Sequence, residues 1–368
     1  MTSKVIHRKT GYKGIMTQEA ASAPRAISWY RSSIDTTEFK ALHQKSDLLG
    51  WLQTLGYLGV LAVPGALAMY GLGRWPIGVV LLLVLAYGTV ASFMPNAVHE
   101  LGHGTVFRTK FLNEFFLRLI SFLNWNNYEM FNASHTRHHR YTLHQPDDLE
   151  VTLPAKVLMR HMILKGIINP MSPQWTIRQT VRVACGRFEG EWELKLFRKG
   201  TPEREAAIKW ARFMLAGHAA VFVVSIYFHL WLLPVLISCN GFGAYGSWLQ
   251  NLCNNTQHIG LQDEVSDFRL CCRTFTVNPF VQFLYWHMNF HIEHHMYAAV
   301  PCYRLGRLHR LIKHDLPPTP HGLVATWKEI CAILKIQETN PTYEHVAPLP
   351  TAARENAGAI ADLSAARA

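Results

Sequence analysis

Residues 50–71 read GWLQTLGYLGVLAVPGALAMYG, and none of these side chains carries a formal charge. A helix of about 20 apolar residues spans a hydrocarbon core of roughly 30 Å. Few soluble folds can hide an uncharged helix of that length. The turn Gly71-Leu72-Gly73-Arg74-Trp75-Pro76 follows, and then a second apolar run, IGVVLLLVLAYGTVASFMP, over 77–95. Two such runs across one short turn predict a membrane hairpin, against the buried hairpin of a soluble helical protein. Pro64 lies inside the first run, a kink that membrane helices tolerate because neighbours satisfy the freed backbone groups. A third apolar block covers 211–257 and is too long for one span. Pro234, with His229-Leu230-Trp231 before it, predicts a turn near 229–234 and hence spans at about 211–229 and 234–256.

Between the blocks, 104–210 is polar, with 16 Lys/Arg against 10 Asp/Glu. Its one apolar stretch, Phe111 to Trp125, is interrupted by Glu114 and Arg118, which suits an interfacial amphipathic helix. Residues 1–48 form a polar N-terminal segment with a short amphipathic helix expected near Ser33 to Lys45. Residues 1–30 hold no apolar leader core, so insertion is expected to rely on the internal segments. The tail, 316–368, is expected to be polar and partly disordered, with an Ala-rich end. The expected fold class is therefore an all-α integral membrane protein, its membrane domain covering 49–315. It has four transmembrane helices in two hairpins and a cytosolic helical cap carrying a dimetal histidine site. Both inter-helix turns are short, so both termini and the basic middle fall on one side. The bias of Lys and Arg makes that side cytoplasmic.

The net charge of +11 suits an anionic membrane surface or an acidic partner, and no nucleic-acid motif accompanies it. Seven cysteines form no C-x-x-C pair, and Cys271-Cys272 are adjacent; that pattern suits reduced thiols facing a cytosol-like compartment.

Twenty histidines stand in the 368 residues with no His tract among them. Three clusters account for eight. The first, His99-Glu100-Leu101-Gly102-His103, comes after the second span; if the helix continues past Pro95, His99 and His103 share one face. The second is His135-Thr136-Arg137-His138-His139 and the third His291-Ile292-Glu293-His294-His295, with i,i+3 and i,i+4 pairs that also share a helical face. HELGH taken alone matches the HExxH of zinc proteases, with Glu100 as general base. Eight imidazoles are too many for one tetrahedral ion and suit two ions with open positions. Imidazole accepts iron, zinc and copper alike, so spacing does not name the metal.

In this order and around two membrane hairpins, HELGH, HTRHH and HIEHH resemble the three histidine boxes of the membrane fatty acid desaturase and hydroxylase superfamily. The resemblance covers roughly 50–315, and Met296 to His309 (MYAAVPCYRLGRLH) also resembles the segment after the third box in that family. It implies two non-haem irons on His99, His103, His135, His138, His139, His291, His294 and His295, with O2 as cosubstrate. It also implies a ninth ligand at the exit of the fourth span, where Asn254-Asn255-Thr256-Gln257-His258 stands. His258 is that candidate, and Asn254 a candidate water-mediated ligand one turn earlier. Glu100, Asp147, Asp148 and Glu293 are candidates to orient ligand imidazoles by accepting their N–H groups, with His287 a further neighbour. His218 and His229 sit with the third span, and His144, His161, His309 and His321 lie outside the box spacing. Arg137, Trp125, Asn126 and Asn127 are candidates to meet a polar head group.

The chemistry so implied is oxidation of an unactivated C–H bond of a fatty acyl chain. Desaturation is the leading outcome, with hydroxylation or decarboxylation to a terminal alkene as alternatives. A zinc intramembrane protease is the remote alternative. A metal transporter is disfavoured by spans that hold no Asp or Glu. No glycine fingerprint for flavin or nicotinamide is apparent, so electrons are expected from an external ferredoxin or cytochrome with its reductase. The basic face suits an acidic donor and anionic lipid equally.

Overall fold

The computed structural model describes residues 25–155, 157–240 and 243–350. Helix α1 (Thr36–Leu42) falls within the stretch expected to be helical; the Asp35 carboxylate caps it by accepting the N–H groups of Thr37 and Glu38 at 2.8 and 3.2 Å. Helix α2 (Asp47–Gly71) starts on Ser46, whose hydroxyl accepts the Leu49 N–H, and passes through Pro64 without a break. The predicted turn closes on Gly71, whose carbonyl accepts from both Arg74 and Trp75. Helix α3 (Ile77–Ala91) returns alongside α2, and Gly65 lets the two approach: a Cβ there would sit 2.9 Å from the Tyr87 ring. Tyr57 in α2 donates its hydroxyl to the Val90 carbonyl at 2.9 Å. Helix α4 (Met94–Gly102) resumes almost at once, because Pro95 sits in its first turn, where its missing N–H has no helical partner to lose. The helix thus continues past Pro95 and carries His99 to its end.

Helix α5 (Lys110–Leu123) is the amphipathic element read from the sequence, burying Phe116, Leu117 and Ile120 and leaving Phe111 and Phe115 exposed. Helix α6 (Tyr128–Tyr141) carries the second histidine box and is capped by Asn127. Helices α7 (Met159–Ile167), α8 (Ser172–Ala184) and α9 (Gly190–Leu196) fill the polar middle. Helix α10 (Pro202–Tyr227), capped by Thr201, is the third long apolar helix. Among the described residues three helices are long and apolar enough to cross a membrane: Asp47–Gly71, Ile77–Gly102 and Pro202–Tyr227.

The expected continuous span over 234–256 does not form. A π-helix (Val235–Cys239) and helix α11 (Trp248–Asn254) are separated by non-helical backbone at 243–247. Glycine is the reason. Gly243 and Gly246 have φ of 64° and 80°, outside the helical region. A Cβ on Gly246 would lie 2.3 Å from the Gly88 carbonyl carbon, so the chain passes backbone-to-backbone against α3.

The remainder is made of short helices: α12 (Phe268–Cys271), α13 (Pro279–Leu284), α14 (His291–Met296) and α15 (Cys302–Ile312), with a 3₁₀ turn at Lys313–Asp315. Helix α16 (Gly322–Thr339) occupies much of the segment read as a tail. Its Trp327 and Ile330 pack on Ile259, and Glu329 pairs with the buried Arg273 at 3.2 Å. The Ala-rich end, 351–368, and the first 24 residues, 1–24, lie outside the described residues. One apolar core, including Tyr57, Phe93, Phe107, Tyr285 and Trp286, joins the first hairpin to the short helices that carry the third box.

Candidate metal centre

The nine histidines singled out from the sequence converge into two groups. His99, His103, His135, His139 and His294 form one, and His138, His258, His291 and His295 the other; within each, the ligating nitrogens lie within 4.8 Å of one another. Helix α4 delivers the first box and α6 the second. His138 and His139 are consecutive on α6 and enter different groups, because neighbours in a helix point about 100° apart. Helix α14 does the same with His294 and His295.

The other ring nitrogen of most of these histidines is held by an acceptor. His99 Nδ1 donates to Glu100 Oε1 at 3.0 Å, His135 Nδ1 to Glu150 Oε1 at 2.9 Å, and His138 Nδ1 to Asp148 Oδ2 at 2.8 Å. His258 Nδ1 donates to the Cys271 carbonyl at 2.8 Å. The Thr142 hydroxyl gives its proton to the His138 carbonyl at 2.6 Å and accepts His295 Nδ1 at 3.2 Å. Glu100 also lies 3.5 Å from His294 Nδ1, linking the first box to the third. A proton on Nδ1 leaves a lone pair on Nε2, as at His258 and His295, and the Nε2 atoms of the two groups face one another. His291 Nε2 lies 3.0 Å from His258 Nε2 and 3.1 Å from His295 Nε2, and His294 Nε2 lies 3.1 Å from His139 Nε2.

Nitrogens at right angles around an ion, each about 2.1 Å from it, are about 3.0 Å apart. Two bare lone pairs at that distance repel, so each such pair shares either a proton or a metal cation. In the five-histidine group, the Nε2 atoms of His99, His103 and His135 are buried with no hydrogen-bond partner. Three such atoms gathered in one place call for a partner that the protein itself does not supply. The donor set therefore fits two metal ions, and its nitrogen-only chemistry suits borderline metals such as iron rather than calcium or magnesium.

The electrostatics agree. Burial first, and then neighbouring imidazoles, push His139, His291, His294 and His295 well below the ordinary histidine range. The same causes take His103 and His258 to about 3. Neutral imidazole is the form that binds a metal. His138 differs: burial opposes its charge, but the Asp148 carboxylate outweighs burial and raises its pKa. Burial also opposes charge on Asp148 and Glu150, yet their histidine partners hold both below the ordinary carboxylate range.

The remaining expected residues divide. Asn254 ends α11, one turn before His258, and its Oδ1 accepts the Asn96 amide at 3.4 Å. Glu100 and Asp148 hold imidazoles as described. Asp147 does not; it pairs with Arg137 at 3.2 Å and Lys195 at 3.3 Å, because Asp148 alone is turned inward by the Leu143 N–H. Glu293 is fully buried but turns to the Thr274 hydroxyl at 2.5 Å and to His309 Nδ1, on the far side of α14 from the box histidines. His287 accepts from Gln282 rather than meeting a box histidine. His218 stacks between Phe122 and Trp125 and bridges Ser238 to the Phe122 carbonyl. Asn127 caps α6 and donates to Ala207, and the Asn126 carbonyl accepts the Trp210 indole, so these two knit α6 to α10. The sequence reading missed Glu150, two positions beyond Asp148 in a loop whose path carries no periodicity. It also missed Thr142, one turn after His138.

Glu100 bears on the protease reading. A general base must face water, whereas both of its neighbours on Oε1 are imidazole nitrogens of the cluster. No curated protein is matched by the chain. The sequence profile described as fatty acid desaturase matches residues 73–327, a stretch that contains both histidine groups. That stretch is more than half of the chain, and the chain belongs to the fatty acid desaturase family.

Proposed function

We propose that this protein is a membrane enzyme that desaturates a fatty acyl chain, using two non-haem irons and O2. The observation that carries the reading is the pairing of two nitrogen-lined groups fed by consecutive residues of α6. One metal is held by His99, His103, His135, His139 and His294, and the other by His138, His258, His291 and His295, with Asn254 holding a water beside the second. Two irons bound there supply the oxidising power to take hydrogen from an unactivated C–H bond. The protein's own groups do the rest. Glu100, Glu150 and Asp148 hold protons on Nδ1 and keep the opposite nitrogens free for the metals. The buried surroundings of the third box keep water from the reacting carbon. The overall reaction removes two hydrogens from adjacent carbons and consumes one O2 and two electrons with two protons, leaving a double bond and two waters.

The electrons come from an external acidic ferredoxin or cytochrome with its reductase, drawn to the basic face of the chain. The histidine groups and both termini lie on the cytoplasmic side of a multi-pass protein, as the excess of Lys and Arg beside the spans supports. The fourth crossing is the broken segment from Pro234 to Asn254.

The test is a metal assay on the purified protein followed by turnover with reductase, donor, O2 and fatty acyl substrates. Two irons per chain and an internal double bond in the product are expected. A terminal alkene with one carbon fewer would replace desaturation by decarboxylation, and an alcohol would replace it by hydroxylation. One zinc per chain with peptide cleavage would sink the whole reading.

A further inference from the structure

The polar middle of the chain contains an element that does not stay on the polar side. Helix α7 runs down along α11, turns at Ile168 to Met171, and leads into α8. The turn is tied to the gap in the broken fourth segment. The Asn169 N–H donates to the Ala244 carbonyl at 2.6 Å, the Gly246 N–H donates to the Ile167 carbonyl at 3.1 Å, and Ile168 and Tyr245 form an antiparallel bridge. Gly166 sits so close to Trp248 that a Cβ would lie 2.5 Å from the Trp248 Cα. The same gap rests on Gly88 and Thr89 of α3: Gly246 abuts Gly88, and the Trp248 indole donates to the Thr89 hydroxyl at 3.1 Å.

This fixes a depth. Gly88 lies about midway along the long apolar helix between Ile77 and His99, roughly 16 Å of helix from each at 1.5 Å per residue. The turn after α7 is therefore at the level of the middle of a membrane-crossing helix, well below the histidines. Non-helical backbone at such a depth survives only where protein satisfies it. The backbone groups of 167–169 do that for 244–246.

The outer surface of the hairpin is apolar. Leu164, Ile167, Ile168, Met171, Trp175 and Val181 are exposed, at 41% or more of their full surface. The long helices likewise expose apolar side chains, among them Leu81 and Leu82 on α3 and Phe222, Val223 and Ile226 on α10. The exposed Arg160 and Arg178 flank it, each about two helical turns from the tip at 168–171. Their long stems can run along apolar surface and carry the charge up to a phosphate layer. Apolar tip, basic flank and mid-helix depth together describe a surface shaped for lipid.

We propose that α7 and α8 form a re-entrant hairpin that enters the leaflet on the histidine side of the bilayer. Its tip lies among acyl chains, and its basic flank holds the phosphates of anionic phospholipid. The hairpin replaces the backbone partners that a continuous fourth helix would have had, so this wall of the membrane domain is built from two separate parts of the chain. The inference does not depend on which reaction the metal centre performs.

The test uses the full-length protein in nanodiscs of phosphatidylcholine with phosphatidylglycerol, with Cys185, Cys239 and Cys331 changed to Ser. Nitroxide labels are placed on single cysteines at Ile168, Met171 or, as a water-exposed control, Glu191. Power saturation with O2 and with a charged nickel chelate then reads depth. At Ile168 and Met171 the ratio of O2 to nickel collisions is expected to exceed that at Glu191 several-fold. Equal ratios would overturn the insertion. Low collision rates with both reagents would also overturn it, because they would mean that a second copy or another protein covers the surface. The headgroup part is read separately by native mass spectrometry of an R160Q/R178Q variant, which is expected to retain less phosphatidylglycerol than the parent. An unchanged lipid count would overturn that part.

Discussion

The two histidine groups sit side by side, yet they are built differently. The five-histidine group is backed by carboxylates, Glu100 on His99 and Glu150 on His135. The four-histidine group has one carboxylate, Asp148 on His138; its other supports are a backbone carbonyl and a hydroxyl. An imidazole that donates to a carboxylate is more basic and more firmly oriented than one that donates to a neutral group. The first group is also richer in ligands. The asymmetry is one of support: carboxylates hold two imidazoles of the five-histidine group and one of the four-histidine group.

Breaking the comparison outright is the first test. H139A is expected to remove one metal from the five-histidine group and H138A one from the four-histidine group. Each should lower iron from two per chain toward one and abolish turnover, as read by metal analysis and product assay. If either single variant lost both metals, the groups would be one cooperative site rather than two. A smaller effect comes from the carboxylates. E150Q and D148N should each weaken metal affinity about 10- to 100-fold, measured by chelator competition, and each in its own group. T142V comes next. It removes a neutral acceptor, so a loss of about 1 kcal/mol, or roughly fivefold in affinity, is expected at the four-histidine group alone. D147N completes the series. Metal content should not change, because Asp147 pairs with Arg137 and Lys195. A loss of iron in D147N would place its carboxylate in the support of the site after all.

The series also marks what was legible in the sequence. The histidines were, because a functional helix turn must repeat a residue at i, i+3 and i+4, and that pattern survives in one dimension. Which group each histidine enters was not, since it depends on how α4, α6 and α14 meet. Glu100 was legible because it is adjacent to its partner. Between the adjacent aspartates Asp147 and Asp148 nothing in one dimension chooses; a backbone N–H from Leu143 decides it. Glu150 and Thr142 support the site from a loop and a helix end, where spacing carries no rule. The first hairpin is readable from charge-free length alone. The fourth span reads as one helix because hydropathy counts glycine as neutral, while Gly243 and Gly246 take backbone angles that end a helix.

His294 has a consequence for biogenesis. Four of the five nitrogens of its group, from His99, His103, His135 and His139, belong to the first 139 residues, whereas the other group owns only His138 until the C-terminal half is made. Chains emerge N-terminus first. The five-histidine group therefore has four of its five nitrogens in place in the chain while the ribosome is still at work. Both groups are completed only by α14, but the four-histidine group lacks His258 as well until the broken segment has been made. On the two-iron reading, a cell short of iron would accumulate protein loaded first at the group whose nitrogens are made first.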